Sequence, residues 1–329
     1  MQSQAAGGGA TGVTVGVMGA GAVGMFFAAR LARSGCPVTV VARRPHVDAV
    51  RRHGLVVASV DGPAVVALEA AEDPAALASA DVVLVCVKSV DTEATADLLA
   101  PVLASGTLVV SLQNGVDNAW RLRARLPRPV VPGVVYVSAE MTGPGHLRHN
   151  GGGRLILGTP LASPDEAAAA SARLEALAAR WAQAGVPCQR SDDVRVDLWT
   201  KLTANCAYNA ISALSQQRYG VVAADAGVRA VMERVTDEIA AVAAADGVPV
   251  SRAALGEAVA AIVRVMPQAL SSTAQDLAAG RRTEIDDLNG FVVRRGRAVG
   301  VPTPVNETLQ ALVKFVETSA RVAPPARNA

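Results

Sequence analysis

The chain opens its first legible element at residues 13–18, VTVGVM, an apolar run of the length of one buried strand, which leads directly into GAGAVG. Helical spacing of apolar residues, rich in Ala, continues to about Ser34. PVTVVAR then predicts a second strand ending at Arg43. DVVLVCVK (81–88) and TLVVSLQ (107–113) are almost continuously apolar, as strands covered on both faces should be. VVPGVVYVS, ending at Ser138, predicts another strand. The following TGPGHLRHNGGGRLILG reads as loop-rich, with two short strand-like pieces closing or extending the sheet. A long helical pattern from Ser163 to Ala184 starts on the acidic PDEAAAA, and VPCQRSDDV (186–194) predicts a last strand and a polar break.

From Asp193 onward the period is helical almost throughout, with breaks expected at Gly220, Gly247-Val248-Pro249, Pro267, Gly280 and Gly300-Val301-Pro302. The predicted fold is α/β: an N-terminal Rossmann-type doubly wound parallel sheet followed by an all-helical C-terminal domain. Residues 1–12 are expected to be a flexible tail, 13–190 a nucleotide-binding domain and 191–329 a helical substrate domain. A length of 329 residues agrees with two domains at about 150 residues each.

Composition narrows the classes. Hydrophobic residues make up 51% and aromatics only 3%, so the cores must be built from Ala, Val and Leu. Net charge is +2, with 29 acids among the bases, which argues against the clustered basic face of a nucleic-acid binder. No apolar run reaches the roughly 18 residues of a membrane span. The first dozen residues lack a signal-peptide pattern, so a cytoplasmic location is expected. Cys36, Cys86, Cys188 and Cys206 form no CxxC pair, and His46, His53, His146 and His149 no ligand spacing; reduced thiols and no metal are expected. The helical half is a candidate homodimer interface.

The glycine run carries the first chemistry. In strand, GxGxxG, helix, strand order, Gly19 permits the tight turn, Gly21 lets backbone approach a pyrophosphate, and Gly24 packs helix on strand. Free amides at the helix start, along Ala20, Ala22 and Val23, would hold the phosphates. An NAD-binding strand usually ends in Asp or Glu. Here it ends in Arg43-Arg44, with no acid until Asp48, so NADPH (NADP+) is favoured: guanidinium binds a 2′-phosphate of about −1.5 to −2 charges in a bidentate fork. Lys88 and Asn114 follow buried strands and are expected at the cofactor crevice, although a strand-end charge and an Asn-Gly turn explain them equally.

Of 31 basic residues only Lys88, Lys201 and Lys314 are lysine. Arg stays protonated at any ordinary pH, whereas a desolvated Lys can exchange its proton. Lys201 lies in LWTKLTANCAYNAIS, where Asn205 and Asn209 share its helix face. A second polar cluster, SSTAQDLAAGRRTEIDDLNG, holds Ser271, Ser272, Asp276, Glu284 and Asn289. Plainer roles exist: Ser271 or Ser272 caps one helix, and Thr283 another.

GAGAVG, CVK, LQNG, GPG, LWTKLTANCAYNAISAL, SSTAQDLAAGRRTEIDDLNG and RRGRAVGVPTPVNETL occur in that order. Together they resemble the ketopantoate reductase family over nearly the whole chain. The resemblance implies NADPH-dependent reduction of the 2-oxo acid ketopantoate to D-pantoate, on the route to pantothenate and coenzyme A. It implies Arg43 and Lys88 at the adenosine 2′-phosphate and Asn114 near the nicotinamide ribose. Lys201 matches the catalytic lysine and Glu284 its paired carboxylate. Asn205, Asn209 and Ser272 match substrate-binding positions. Thr273 and Ala269 depart from the Met and Asn common in relatives. Two alternatives stand beside this reading: a 2-hydroxy acid or opine-type dehydrogenase on the same plan, and a non-catalytic NADPH sensor.

Overall fold

The computed structural model describes residues 12–322, and the expected N-terminal tail lies almost wholly outside them. The described residues divide into two compact units. One comprises the chain up to Val87, Asp91–Gln113 and Asn118–Asp192; the other comprises Lys88–Val90, Asn114–Asp117 and the chain from Asp193 on.

The first unit is built on one sheet. Its elements are β1 (Val15–Met18), α1 (Ala22–Arg33), β2 (Val38–Val41), α2 (Arg44–His53), β3 (Leu55–Ser59), β4 (Ala64–Val66), β5 (Glu69–Ala71), β6 (Val82–Val85), α3 (Thr92–Leu99), β7 (Leu108–Ser111), α4 (Asn118–Arg125), β8 (Val130–Gly143), β9 (His146–Leu157), α5 (Pro164–Gln183) and β10 (Cys188–Arg190). Strands run β4-β3-β9-β8-β7-β6-β1-β2-β5, with β10 beside β9. From β5 to β8 every neighbouring pair is parallel, in the order of a dinucleotide-binding sheet. Alternate residues of one strand enter opposite cores. Val82 and Leu84 pack with Phe27, Leu174 and Trp181, whereas Val83 and Val85 pack with Leu99 and Leu122. Helices therefore cover both faces, and the central strands β1 and β6 read as unbroken apolar sequence.

Beyond β8 the sheet is extended, as expected, but by a continuous strand rather than short pieces in a loop. β8 and β9 form a long antiparallel hairpin, β3 joins β9 in parallel, and β4 joins β3 antiparallel. The glycines that signal a loop are used in a bulged strand instead. Gly151, Gly152 and Gly153 all have positive φ, and the register slips at Tyr136/Val137 and Ser138/Ala139. A Cβ on Gly153 would lie 2.7 Å from the Phe26 ring.

The second unit is helical: α6 (Val194–Ser215), α7 (Tyr219–Ala224), α8 (Ala226–Ala245), α9 (Arg252–Val265), α10 (Ser272–Ala278), α11 (Asn289–Val299) and α12 (Pro304–Val322). α6 packs against α8, α9, α10 and α12, and so is apolar nearly all round: Trp199, Leu202, Cys206, Ala207, Tyr208 and Ala210 are buried. Burying a side chain the size of Leu202 contributes about 1.5–3 kcal/mol. Trp199 meets the Phe291 ring edge-on at 5.7 Å. Gly220, expected to break the helix, instead lies inside α7. The break falls earlier, at Gln216, which takes the left-handed conformation (φ 52) and ends α6.

Candidate active site

In the first unit the GAGAVG turn joins β1 to α1. Gly19 has φ +110, and a Cβ there would lie 3.0 Å from the Cys86 backbone; on Gly24 it would lie 2.1 Å from the Gly19 carbonyl oxygen. Chain geometry therefore requires both glycines. Gly21 is different. A Cβ there would meet nothing closer than 3.9 Å, and Gly21 is exposed at the start of α1 with no side-chain cap and no acid in the first turn. The open amides, the positive helix end and a glycine that the protein itself does not need fit a bound diphosphate. Arg43 and Arg44 follow β2 with exposed side chains; Arg43 is the N-cap of α2, and Arg44 lies 3.3 Å from Glu72.

The second unit brings the Lys201 cluster together. Lys201 sits on α6, and its Nζ donates to Oδ1 of Asn114 at 2.9 Å. The Asn114 amide Nδ2 donates in turn to Oε2 of Glu284 at 3.2 Å. Oε1 of Glu284 accepts the Ser89 backbone N–H at 3.1 Å. The single Ser89 hydroxyl hydrogen has two acceptors in reach, the Asn114 carbonyl at 2.7 Å and Glu284 at 3.2 Å. Burial pushes the Lys201 ammonium down to about 8, against an opposing pull from the Glu284 carboxylate. Near neutrality this group holds a proton and can release it, which Arg could not do.

Lys88, expected at the cofactor crevice, has polar partners within the protein. It belongs to the helical unit, where its Nζ donates to Oδ2 of Asp276 at 2.7 Å and to the Arg282 carbonyl. Asp276 also takes Arg281 on Oδ1 at 2.9 Å, so one carboxylate joins two cations. Asn114, expected near the nicotinamide ribose, links Lys201 to Glu284 through its side-chain amide.

Asn205 is half-buried one turn beyond Lys201, whereas Asn209 is buried and its Oδ1 accepts the Tyr219 hydroxyl at 3.2 Å. Ser271 is the N-cap of α10, accepting the Ala274 N–H at 3.0 Å, and leaves Ser272 exposed at the first helical position. Thr273 is buried and Ala269 half-buried.

A model of the ketopantoate reductase PanE/ApbA family matches residues 15–161, and a model of the PanE/ApbA C-terminal region matches residues 193–317. The chain belongs to the ketopantoate reductase family. A 2-dehydropantoate 2-reductase of Halobacterium salinarum is 34% identical over 304 residues, covering 92% of this chain and 98% of that protein. A crystal structure of a PanE/ApbA family ketopantoate reductase from Ralstonia eutropha is 46% identical, with TM-score 0.85 over 94% of this chain and 100% of that one. D-mandelate dehydrogenase, in a ternary structure with NADH and anilino(oxo)acetate, shares the fold at TM-score 0.86 and 23% identity, over 94% of this chain and 100% of that one.

Within this family member, four residues join the clusters that sequence reasoning did not assign to a site. Ser89 anchors Glu284, and Tyr219 orients Asn209. Asp276 holds Lys88, and Glu317 on α12 binds Thr283. Only Asp276 carried a signal, through its place in SSTAQDLAAG. Ser89 acts through a contact across 195 positions, and Tyr219 through a side-chain bond outside any repeating pattern. Among the described residues no group of three or more His, Cys, Asp or Glu could hold a metal ion, and no helix is long and apolar enough to cross a membrane.

Proposed function

We propose that this chain reduces ketopantoate to D-pantoate with NADPH, on the route to pantothenate and coenzyme A, with Lys201 as the proton donor. One observation carries the reading: a lysine with its pKa lowered to about 8, tied through Asn114 to a fixed carboxylate, in a member of this family. The nicotinamide, when bound, supplies hydride to the carbonyl carbon of the 2-oxo acid. Gly19 to Gly24 hold the diphosphate at the start of α1. Arg43, exposed at the start of α2, takes the 2′-phosphate.

As negative charge grows on the carbonyl oxygen, the Lys201 ammonium stabilises it and delivers a proton there. Glu284 acts through Asn114 to hold Lys201 in place, and its charge favours the ammonium form. Asn205, Asn209 and Ser272 bind the substrate carboxylate and hydroxyl. With its Oδ1 engaged by Tyr219, Asn209 offers its amide hydrogens. None of these three competes as a proton donor at neutral pH.

The test is oxidation of NADPH and NADH across a panel of 2-oxo acids, with the product identified. Ketopantoate with NADPH should give the highest kcat/KM and yield D-pantoate. Preference for NADH would remove the Arg43 assignment. Preference for another 2-oxo acid would move the chain to a related 2-hydroxy acid dehydrogenase activity. NADPH binding without turnover of any 2-oxo acid would leave the sensor.

A further inference from the structure

Gln310, Lys314 and Glu317 are spaced four and three apart on α12 and so share one face of that helix. That face grips the segment carrying Glu284 at two points. Immediately before Glu284, Thr283 gives its backbone N–H at 3.0 Å and its hydroxyl at 2.7 Å to the same Glu317 oxygen. Two residues after Glu284, Asp286 accepts Lys314 Nζ at 2.6 Å on one oxygen and Gln310 Nε2 at 2.8 Å on the other. Glu317 is only 5% exposed and Thr283 only 4%. A carboxylate this buried is costly unless donors converge on it, and here two donors of a single residue do. Burial alone would raise the Asp286 carboxyl, yet hydrogen bonds from Lys314 and Gln310, with the Lys314 and Arg282 charges, hold it below its ordinary value. Apolar packing of α12 through buried Leu309 and Val313 would not by itself require these polar grips.

We propose that Glu317, with Lys314 and Gln310, forms a positioning device that fixes the Glu284 backbone so that its carboxylate reaches Ser89 and Asn114 together. None of the three is assigned to substrate or cofactor; they act through Glu284. The inference rests on the reading of Lys201 as proton donor, but its test does not need turnover. With only three lysines in the chain, labelling lysine with ¹³C and ¹⁵N gives a spectrum in which Lys201 can be titrated directly.

The variants are Glu317→Leu, which removes the acceptor, and Glu317→Gln, which keeps one. In Glu317→Leu the Lys201 midpoint should move below its wild-type position, because the Glu284 charge that raises it is no longer held. With ketopantoate, kcat should fall about 10–100-fold, the scale of a small misplacement, with KM for NADPH unchanged. Glu317→Gln should restore both. If Glu317→Leu does not fold, the half-exposed Lys314→Met/Gln310→Leu double variant carries the test, with the same directions of change. A folded variant with wild-type midpoint and kcat overturns the proposal. A midpoint that moves in a protein reducing no 2-oxo acid keeps the positioning device and removes the reductase reading.

Discussion

Lys201 donates to the side-chain oxygen of Asn114 at 2.9 Å, so the lysine is tethered by a neutral amide that also donates to Glu284. A neutral acceptor orients the ammonium without raising its pKa as a carboxylate there would. Burial then keeps Lys201 near 8. Reduction needs the protonated form, so kcat/KM should be flat below that value and fall tenfold per pH unit above it; D-pantoate oxidation should rise through the same point. Asn114→Asp places a negative charge beside Lys201, and its descending limb should move to higher pH. An unmoved limb in a folded Asn114→Asp protein would assign the pH dependence to another group.

Arg43→Ala should weaken NADPH and leave NADH unchanged. A hydrogen bond to a charged group is worth about 1.5–3 kcal/mol, or roughly 10–150-fold in KM for NADPH. Equal losses for both cofactors would show that Arg43 supports the fold of α2 rather than the phosphate.

How far the sequence reveals this site depends on distance along the chain. The glycine turn and the covered strands are local patterns, and both were readable. α6 was readable as a helix, with Lys201, Asn205 and Asn209 on one face. Their surroundings were not. Asn209 meets Tyr219 through a side-chain bond outside any repeating pattern, and Asn114 meets Glu284 across 170 positions. Three glycines at 151–153 gave the signal of a loop, because a bulge and a turn call for the same residue. β3, β4 and β5 are three to five residues long and too short for a clear alternation.

Tyr219→Phe removes the hydroxyl that orients Asn209 and nothing else of comparable size. KM for ketopantoate should rise about 2–13-fold, the equivalent of a neutral hydrogen bond of roughly 0.5–1.5 kcal/mol. KM for NADPH should not change. Steady-state kinetics with each substrate varied separately would show the split, and a change in both constants would argue for loosening of the whole helical unit.

Lys201→Met should abolish reduction without weakening the fold. The folded pKa of about 8 lies below the unfolded value, so the folded state binds fewer protons between them. The lysine contribution therefore becomes more favourable as pH rises through that window and is least favourable below it. At neutral pH the Met variant should melt at the wild-type temperature or above. A large drop in melting temperature would make Lys201 a structural residue.

The most direct measurement compares NADPH-dependent ketopantoate turnover by wild type and Lys201→Arg at neutral pH, with cofactor binding checked in both. Arg preserves the positive charge and cannot release its proton. If Lys201 is the acid, kcat should fall by about 10²–10⁴-fold while NADPH binding persists. Near-wild-type kcat in the Arg variant would contradict proton donation from this residue.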